Sequence, residues 1–325
     1  MQKRKIGSQG LISSHIGLGC MGMSQWYGPS NDAESVETIH RAIDLGITMF
    51  DTAEAYGPYI NESLLGSAFR GRRVDVVIAT KFGFPMIKPD GTTEPPNSEP
   101  KHIRQTVEQS LRRLNTGHID LLYQHRFDPR VPIEDVVGTM SEMVQEGKVR
   151  FLGLCEVGVE TIRRAHAVHP LSAVQSEYSL WERNIESEII PTLQELGIGL
   201  VAFAPLGRGF LTGDVKPADQ YGADDFRRTD PRFAQENYAH NSNALSQLRE
   251  LAEEAGLTPA QLAIAWVIVK GVLPIPGTRK VERLVANAEA ADVVLSGHMV
   301  DRLDRLFQVV AGQRYSETMM GFIDR

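Results

Sequence analysis

Four side chains in this sequence have the types and spacing for proton-transfer chemistry. Asp51 closes the apolar run 47–50, Lys81 closes 74–80 and His125 closes 119–124, and each run reads as a buried strand. Tyr56 lies beyond Asp51 on the connecting loop, just before Gly57 and Pro58. Strand ends are rigid and loops reach over a barrel mouth, so this is how a barrel mounts catalytic groups. A phenol with its ordinary pKa near ~10 is a poor acid at neutral pH unless a cation or dipole stands beside it. Lys81 is the cation on offer. Singly, a lysine or histidine at a strand end is more often a capping or surface group. Ionisable residues ending three consecutive strands on one face point instead to a site.

Holding these groups together requires a strand–helix alternation, and the chain supplies it. Residues 4–19 read as two short strands around Ser8-Gln9-Gly10, followed by a first barrel strand at 16–19. Helical patterns at 32–45, 62–69, 103–114, 133–146, 159–169 and 185–196 alternate with strands at 47–51, 74–81, 119–125, 149–154, 173–176 and 199–204. The strands are continuously apolar, as expected when helices cover the sheet. Residues 205–243 break the rhythm, and an aperiodic stretch of that length inside a compact barrel is usually a functional loop. Within it, Asp225, Phe226, Arg227 and Arg228 form a mixed aromatic and basic tip, a candidate lid over the site. Helices resume at 244–254 and 259–269, the latter capped by Thr258 before Pro259. An eighth strand at 272–276, a helix at 281–290 and an extra helix at 299–309 complete the chain. The expected fold is an α/β (β/α)8 TIM barrel with an N-terminal β-hairpin and extra C-terminal helices, one domain over residues 1–325.

Composition narrows the function further. The chain has 325 residues, 42% hydrophobic and 23% charged, as in ordinary globular proteins. Its net charge of −7, with no long basic run, argues against a nucleic-acid partner. Cys20 and Cys155 form no CxxC and no disulfide framework, which suits a reducing cytoplasm. The basic residues 1–5 are not followed by an apolar segment, so neither a signal peptide nor a membrane span is expected. A metal-dependent barrel hydrolase needs converging ligands, and no HxH pair appears, so no metal site is expected. There is no G-x-G-x-x-G after a first strand, so a Rossmann reading fails. A Schiff-base lyase using Lys81 stays open. Nothing here sets the oligomeric state.

The stretches Phe50-Asp51-Thr52-Ala53-Glu54-Ala55-Tyr56-Gly57, Ala79-Thr80-Lys81 and Tyr123-Gln124-His125-Arg126 resemble the Asp/Tyr/Lys/His tetrad of the aldo-keto reductase superfamily. The resemblance runs from Lys5 to about Leu306. Residues 177–181 and 205–211 look like the bacterial and plant branch that includes perakine-reductase-like and auxin-induced-protein-like members. It implies NADPH-dependent reduction of a carbonyl, with Tyr56 the general acid, Lys81 lowering its pKa, Asp51 holding Lys81, and His125 directing the substrate oxygen. The alternative within the same resemblance is a nicotinamide-binding redox sensor with slow turnover.

Cofactor-binding residues carry over in the same way. Gln175 matches the glutamine that holds the nicotinamide carboxamide, while Cys155 and Glu156 replace the usual serine and asparagine. Phe203 matches the ring stacked under the nicotinamide, and Ala204 replaces a serine before the loop Pro205, Leu206, Gly207, Gly209 and Leu211. Cys20 and Met21 after the first strand and Ile275 on the eighth are expected beside the cofactor. Gly277, Thr278, Arg279, Arg283 and Asn287 match the adenosine 2′-phosphate segment, with Lys280 adding charge and Ala286 replacing a polar residue. A Gly-Thr turn at a helix N-terminus offers N–H groups to an anion, and the basic residues add counter-charge. The substrate pocket is expected from Met23, Trp26, Tyr27, Phe82, Phe84, Arg126 and Trp181, a lining that favours an aromatic or bulky apolar aldehyde or ketone.

Overall fold

The computed structural model describes residues 1–87 and 93–324. Strands β1 (Lys3–Ile6) and β2 (Leu11–Ser14) form an antiparallel hairpin with Ile6 opposite Leu11. The parallel strands are β3 (Leu18–Gly19), β4 (Met49–Asp51) and β5 (Val77–Phe82), followed by a small antiparallel ribbon of β6 (Met86–Ile87) and β7 (Thr93–Glu94). They continue as β8 (Ile119–Gln124), β9 (Val149–Cys155), β10 (Ala173–Glu177), β11 (Gly199–Phe203) and β12 (Leu273–Pro274). Strand order is β3-β4-β5-β8-β9-β10-β11-β12. The ends of that order meet, because Gly17 N donates to Pro274 O at 2.9 Å and Gly19 N to Pro276 O at 3.3 Å. The sheet is thus a closed barrel.

The helices are α1 (Asp32–Asp44), α2 (Ile60–Ala68), α3 (Pro100–Arg113), α4 (Ile133–Gln145), α5 (Val159–Val168), α6 (Ile189–Leu196), α7 (Gln235–Glu254), α8 (Pro259–Val269), α9 (Val281–Glu289), α10 (Gly297–Leu303) and α11 (Glu317–Met320). Local chemistry explains their starts. Asn31 accepts from Glu34 N at 3.1 Å ahead of α1, and Thr258 with Gln261 makes a capping box ahead of α8.

Side-chain alternation along the strands sorts residues into two cores. Ile78, Leu122 and Phe50 face the helices, while Met49, Ala79, Leu121, Ala173, Val201 and Leu273 fill the barrel interior. Gly153 exists for that interior, since a Cβ there would stand 2.5 Å from the Tyr123 ring. The hairpin plugs the end where strands begin: Ile6 and Leu11 join the interior cluster, and Ser8 N donates to Gly197 O at 2.8 Å. Continuing the inward series toward the other end brings Asp51, Lys81 and Gln175 to the barrel mouth.

Four expectations from periodicity are corrected. Helix α7 begins at Gln235, nine residues before the apolar pattern at 244. Its first turns are polar and are held by buried Asn241, which bonds to Arg232 O, Ala311 O and Ala311 N. Residues 73–75 are a 3-10 turn rather than strand, and 184–186 are a 3-10 turn preceding α6. The last expected helix, 299–309, is shorter, ending at Leu303. The tail beyond it folds back across the barrel mouth.

Candidate active site

Lys81 lies at the centre of the mouth, 1% exposed. Its ammonium donates to Asp51 Oδ1 at 2.5 Å, to the Thr52 carbonyl at 2.9 Å and to the Tyr56 hydroxyl at 3.2 Å. Alternate inward positions on adjacent strands make this possible: Asp51 pairs with Ala79 across β4–β5, and Lys81 follows by two residues. Gln175 reaches Asp51 from β10, its Nε2 donating to Oδ2 at 2.7 Å. The Tyr56 ring meets His125 edge-on at 5.8 Å between centroids. All four expected catalytic side chains therefore converge.

Their electrostatics differ from expectation in one respect. Burial pushes the Tyr56 phenol up to about 12, and the Lys81 charge recovers only part of that shift. The reason is that Lys81 is held closest to Asp51, which also repels phenolate. Burial pulls Lys81 down, but Asp51 and Tyr56 outweigh it and hold the ammonium above its ordinary value. His125 is held well below its ordinary value by burial, then by Lys81 and Arg126. At neutral pH the site thus contains a protonated phenol, a charged lysine and a neutral imidazole. A protonated phenol against a fixed ammonium can give a proton to an oxyanion forming beside it.

The profile of the aldo/keto reductase family matches residues 15–308. The chain belongs to that family. A glycerol dehydrogenase from Gluconobacter oxydans is 29% identical with a TM-score of 0.85, covering 94% of each chain. An aldo/keto reductase from Klebsiella pneumoniae in complex with NADP and acetate is 27% identical with a TM-score of 0.74, covering 96% of this chain and 99% of that one. An aldo-keto reductase from Bacillus halodurans in its holo form is 25% identical with a TM-score of 0.78, covering 98% and 99%.

Several of this aldo/keto reductase family member's other expected site residues have committed partners. Glu156, at φ 57°, binds Arg314 through both oxygens and accepts from Glu177 N at 2.8 Å. Cys155 Sγ accepts from Arg126 at 3.3 Å, and burial raises its thiol to about 11. Trp181 is buried against Phe210, with ring centroids 4.4 Å apart. It braces the loop after β11, because a Cβ on Gly207 would stand 2.5 Å from its Nε1. Phe82 and Met23 are buried in the sheet–helix core, whereas Trp26, Tyr27 and Phe84 are half-buried around the mouth. Arg279 donates to the carbonyls of Gly22, Tyr27 and Gly28, and Lys280 pairs with Glu34. Arg283 is exposed on α9, and Asn287 is buried on the same helix.

The long loop reaches the mouth through its expected tip. Phe226 N donates to Trp26 O at 3.1 Å, the Phe226 ring meets Tyr27 edge-on at 5.2 Å, and Arg227 lies over Tyr27 at 5.1 Å. Sequence reasoning missed the group behind it. Arg208 donates to Glu177 at 2.9 Å, to Asp230 at 2.6 Å and to the Arg314 carbonyl at 2.6 Å. This buried network ties the long loop to the C-terminal tail. Its only sequence signal was charge at strand ends and in a Gly-containing tail.

The residues present fit a dinucleotide except at Glu156. The N-terminus of α9 has no side-chain cap, leaving N–H groups for a phosphate beside the exposed Gly277. Phe203 is half-buried at the mouth. The Glu156 carboxylate is fully engaged by Arg314 and cannot serve as the amide donor it replaces. Among the described residues, no cluster of His, Cys, Asp or Glu could hold a metal ion, and no helix is long and apolar enough to cross a membrane.

Proposed function

We propose that this protein reduces an aldehyde or ketone to the alcohol at the expense of NADPH, the whole of residues 1–325 acting as one domain. It would thus be an oxidoreductase of CH–OH donors with NADP as acceptor. The observation that carries this reading is the 3.2 Å contact between Lys81 Nζ and the Tyr56 hydroxyl, with Lys81 fixed by Asp51. When bound, reduced nicotinamide supplies the hydride that goes to the carbonyl carbon. Tyr56 gives its proton to the carbonyl oxygen, so hydride and proton together make the alcohol. An alkoxide is a far stronger base than a phenolate, so a phenol raised by burial still transfers its proton in that direction. Lys81 then faces the phenolate and stabilises it, while Asp51 keeps Lys81 charged and oriented. His125, neutral, donates a hydrogen bond to the substrate oxygen and fixes its position between hydride and phenol.

Gln175, Phe203, the loop 205–211 and the segment 275–279 with Arg283 and Asn287 would hold the cofactor, with Cys20 and Met21 beside it. The K. pneumoniae relative in complex with NADP supports NADP as the cofactor. The test is loss of NADPH absorbance against a panel of carbonyl compounds, with and without a chelator. Substrate-dependent, chelator-insensitive turnover is expected. Tight NADPH binding with negligible repeated turnover would return the redox-sensor reading, and borohydride trapping of a carbonyl on Lys81 would favour a lyase.

A further inference from the structure

Arg126 is a buried charge at the mouth that the proposed reaction leaves unused and, among the described residues, one with no carboxylate in contact with it. It follows His125 directly and is 4% exposed. Its Nη1 donates to the His125 carbonyl at 2.8 Å and to Cys155 Sγ at 3.3 Å. The guanidinium lies 5.3 Å from the Phe84 ring centroid, and Phe84 lies 4.5 Å from the His125 ring. Its Nε has no hydrogen-bond partner. Among the described residues, no carboxylate lies within ion-pair distance of it. The nearby acids are committed elsewhere: Glu156 to Arg314, and Glu177 and Asp230 to Arg208.

The buried guanidinium bonds only to a thiol and one carbonyl; Glu156, paired with Arg314, acts on it from a distance, so its donors have no anion in contact. A thiol is also a weak acceptor, so an incoming anion displaces it at little cost. We propose that Arg126 is a specificity residue that binds a carboxylate on the substrate, so that this protein acts on aldehydes or ketones carrying a carboxylate within a few bonds of the carbonyl. The inference rests on the carbonyl-reductase reading and narrows it. A carboxylate suits the site better than a phosphate for two reasons. One planar fork matches one planar anion, and the other cations at the mouth, Lys81, Arg208 and Arg314, already have carboxylates. Trp26, Phe84 and Phe226 remain to contact the carbon skeleton, so an aromatic acid aldehyde satisfies both parts of the lining.

The test compares 4-formylbenzoate with its methyl ester, using NADPH and the native, Arg126→Met and Arg126→Lys proteins. Native protein should favour the acid by at least ~10-fold in kcat/KM, mainly through KM, the scale of a charge-assisted pair. Arg126→Met should abolish the preference, and Arg126→Lys should retain part of it. Calorimetric titration of benzoate into the NADP-loaded protein provides a measurement without turnover, with binding expected for native and lost in Arg126→Met. Equal use of acid and ester by native protein overturns the anion site while leaving the reductase reading intact. If neither aldehyde is reduced, the wider carbonyl panel decides the reductase reading, and the benzoate titration alone decides the role of Arg126. An Arg126→Met protein that loses NADPH affinity but keeps the acid preference overturns the proposal by moving Arg126 to the cofactor. Arg126→Lys, with its folding checked by circular dichroism, keeps the test valid should the methionine variant fail to fold.

Discussion

Arg314 grips both carboxylate oxygens of Glu156, one of them at 3.1 Å, although the two residues are 158 positions apart. The pair latches the C-terminal tail to the strand end beside Cys155. Arg314→Ala should therefore destabilise the protein by about 3–5 kcal/mol, because it leaves a buried carboxylate without its partner. Adding Glu156→Gln should recover most of that loss. Burial pushes the Glu156 carboxyl up, but Arg314 outweighs it and holds the pKa below the ordinary carboxylate value. A depressed carboxyl contributes stability above its unfolded pKa, and that contribution is lost as pH falls through the folded value. The native protein should thus lose more stability on acidification below about pH 4.5 than the double variant. Denaturant midpoints across pH measure both effects, and a double variant as unstable as the single one would mean that the latch is not electrostatic.

Tyr56→Phe should lower turnover by at least ~10²-fold, the scale of a lost general acid, and leave NADPH affinity nearly unchanged. Because burial holds Tyr56 protonated and His125 neutral, kcat/KM for reduction should be flat from about pH 7 to about pH 9. A Tyr56→Phe protein with near-native rate would transfer the acid role, His125 being the first residue to test. A steep fall through neutral pH would show instead that the phenol or imidazole titrates there.

The catalytic cluster was legible because it obeys a local rule. Asp51, Lys81 and His125 each end an apolar run, and the two-residue period of a strand carries Ala79 and Lys81 to the same side. The α8 start was equally local, since Thr258 and Gln261 sit three residues apart. The parts that escaped are pairings across the chain. Asn241 holds the start of α7 by reaching Ala311, and Arg208 and Arg314 meet acids from other strands, so no window of sequence contains both partners. The phenol's shift escaped for a related reason: a cation 25 positions away can be read from motifs, but the depth of burial opposing it cannot.

Residues 225–228 should behave as a lid. Phe226 and Arg227 make their contacts with Trp26 and Tyr27 by one backbone hydrogen bond, tilted and edge-on ring contacts and the Arg227 guanidinium over Tyr27, without a buried aliphatic anchor. Limited proteolysis should cut near Arg227–Arg228 readily in the free protein and slowly with NADPH. Phe226→Ala should speed cutting in both states. Identical cutting of free and loaded protein would remove the lid and leave an ordinary packed loop.

Cofactor preference joins two roles in one residue. Arg279 follows the Gly277-Thr278 turn, where its guanidinium would meet an adenosine 2′-phosphate, yet its three hydrogen bonds go to the carbonyls of Gly22, Tyr27 and Gly28. Carbonyl oxygens do not neutralise a cation, so the charge is left for a phosphate oxygen, which makes a stronger bond than a ribose hydroxyl could. NADPH should bind at least ~10-fold tighter than NADH, roughly 1.4 kcal/mol, and rising salt should narrow the gap. Arg279→Ala should erase most of it, chiefly by weakening NADPH. That variant should also loosen residues 22–28 and so weaken NADH somewhat, an effect that separates it from Arg283→Ala, whose exposed side chain can act only through charge. Fluorescence titration of both cofactors against the three proteins measures these differences. Equal affinity of the native protein for the two cofactors at low salt would show that Arg279 serves only to fold the loop 22–28 against the barrel.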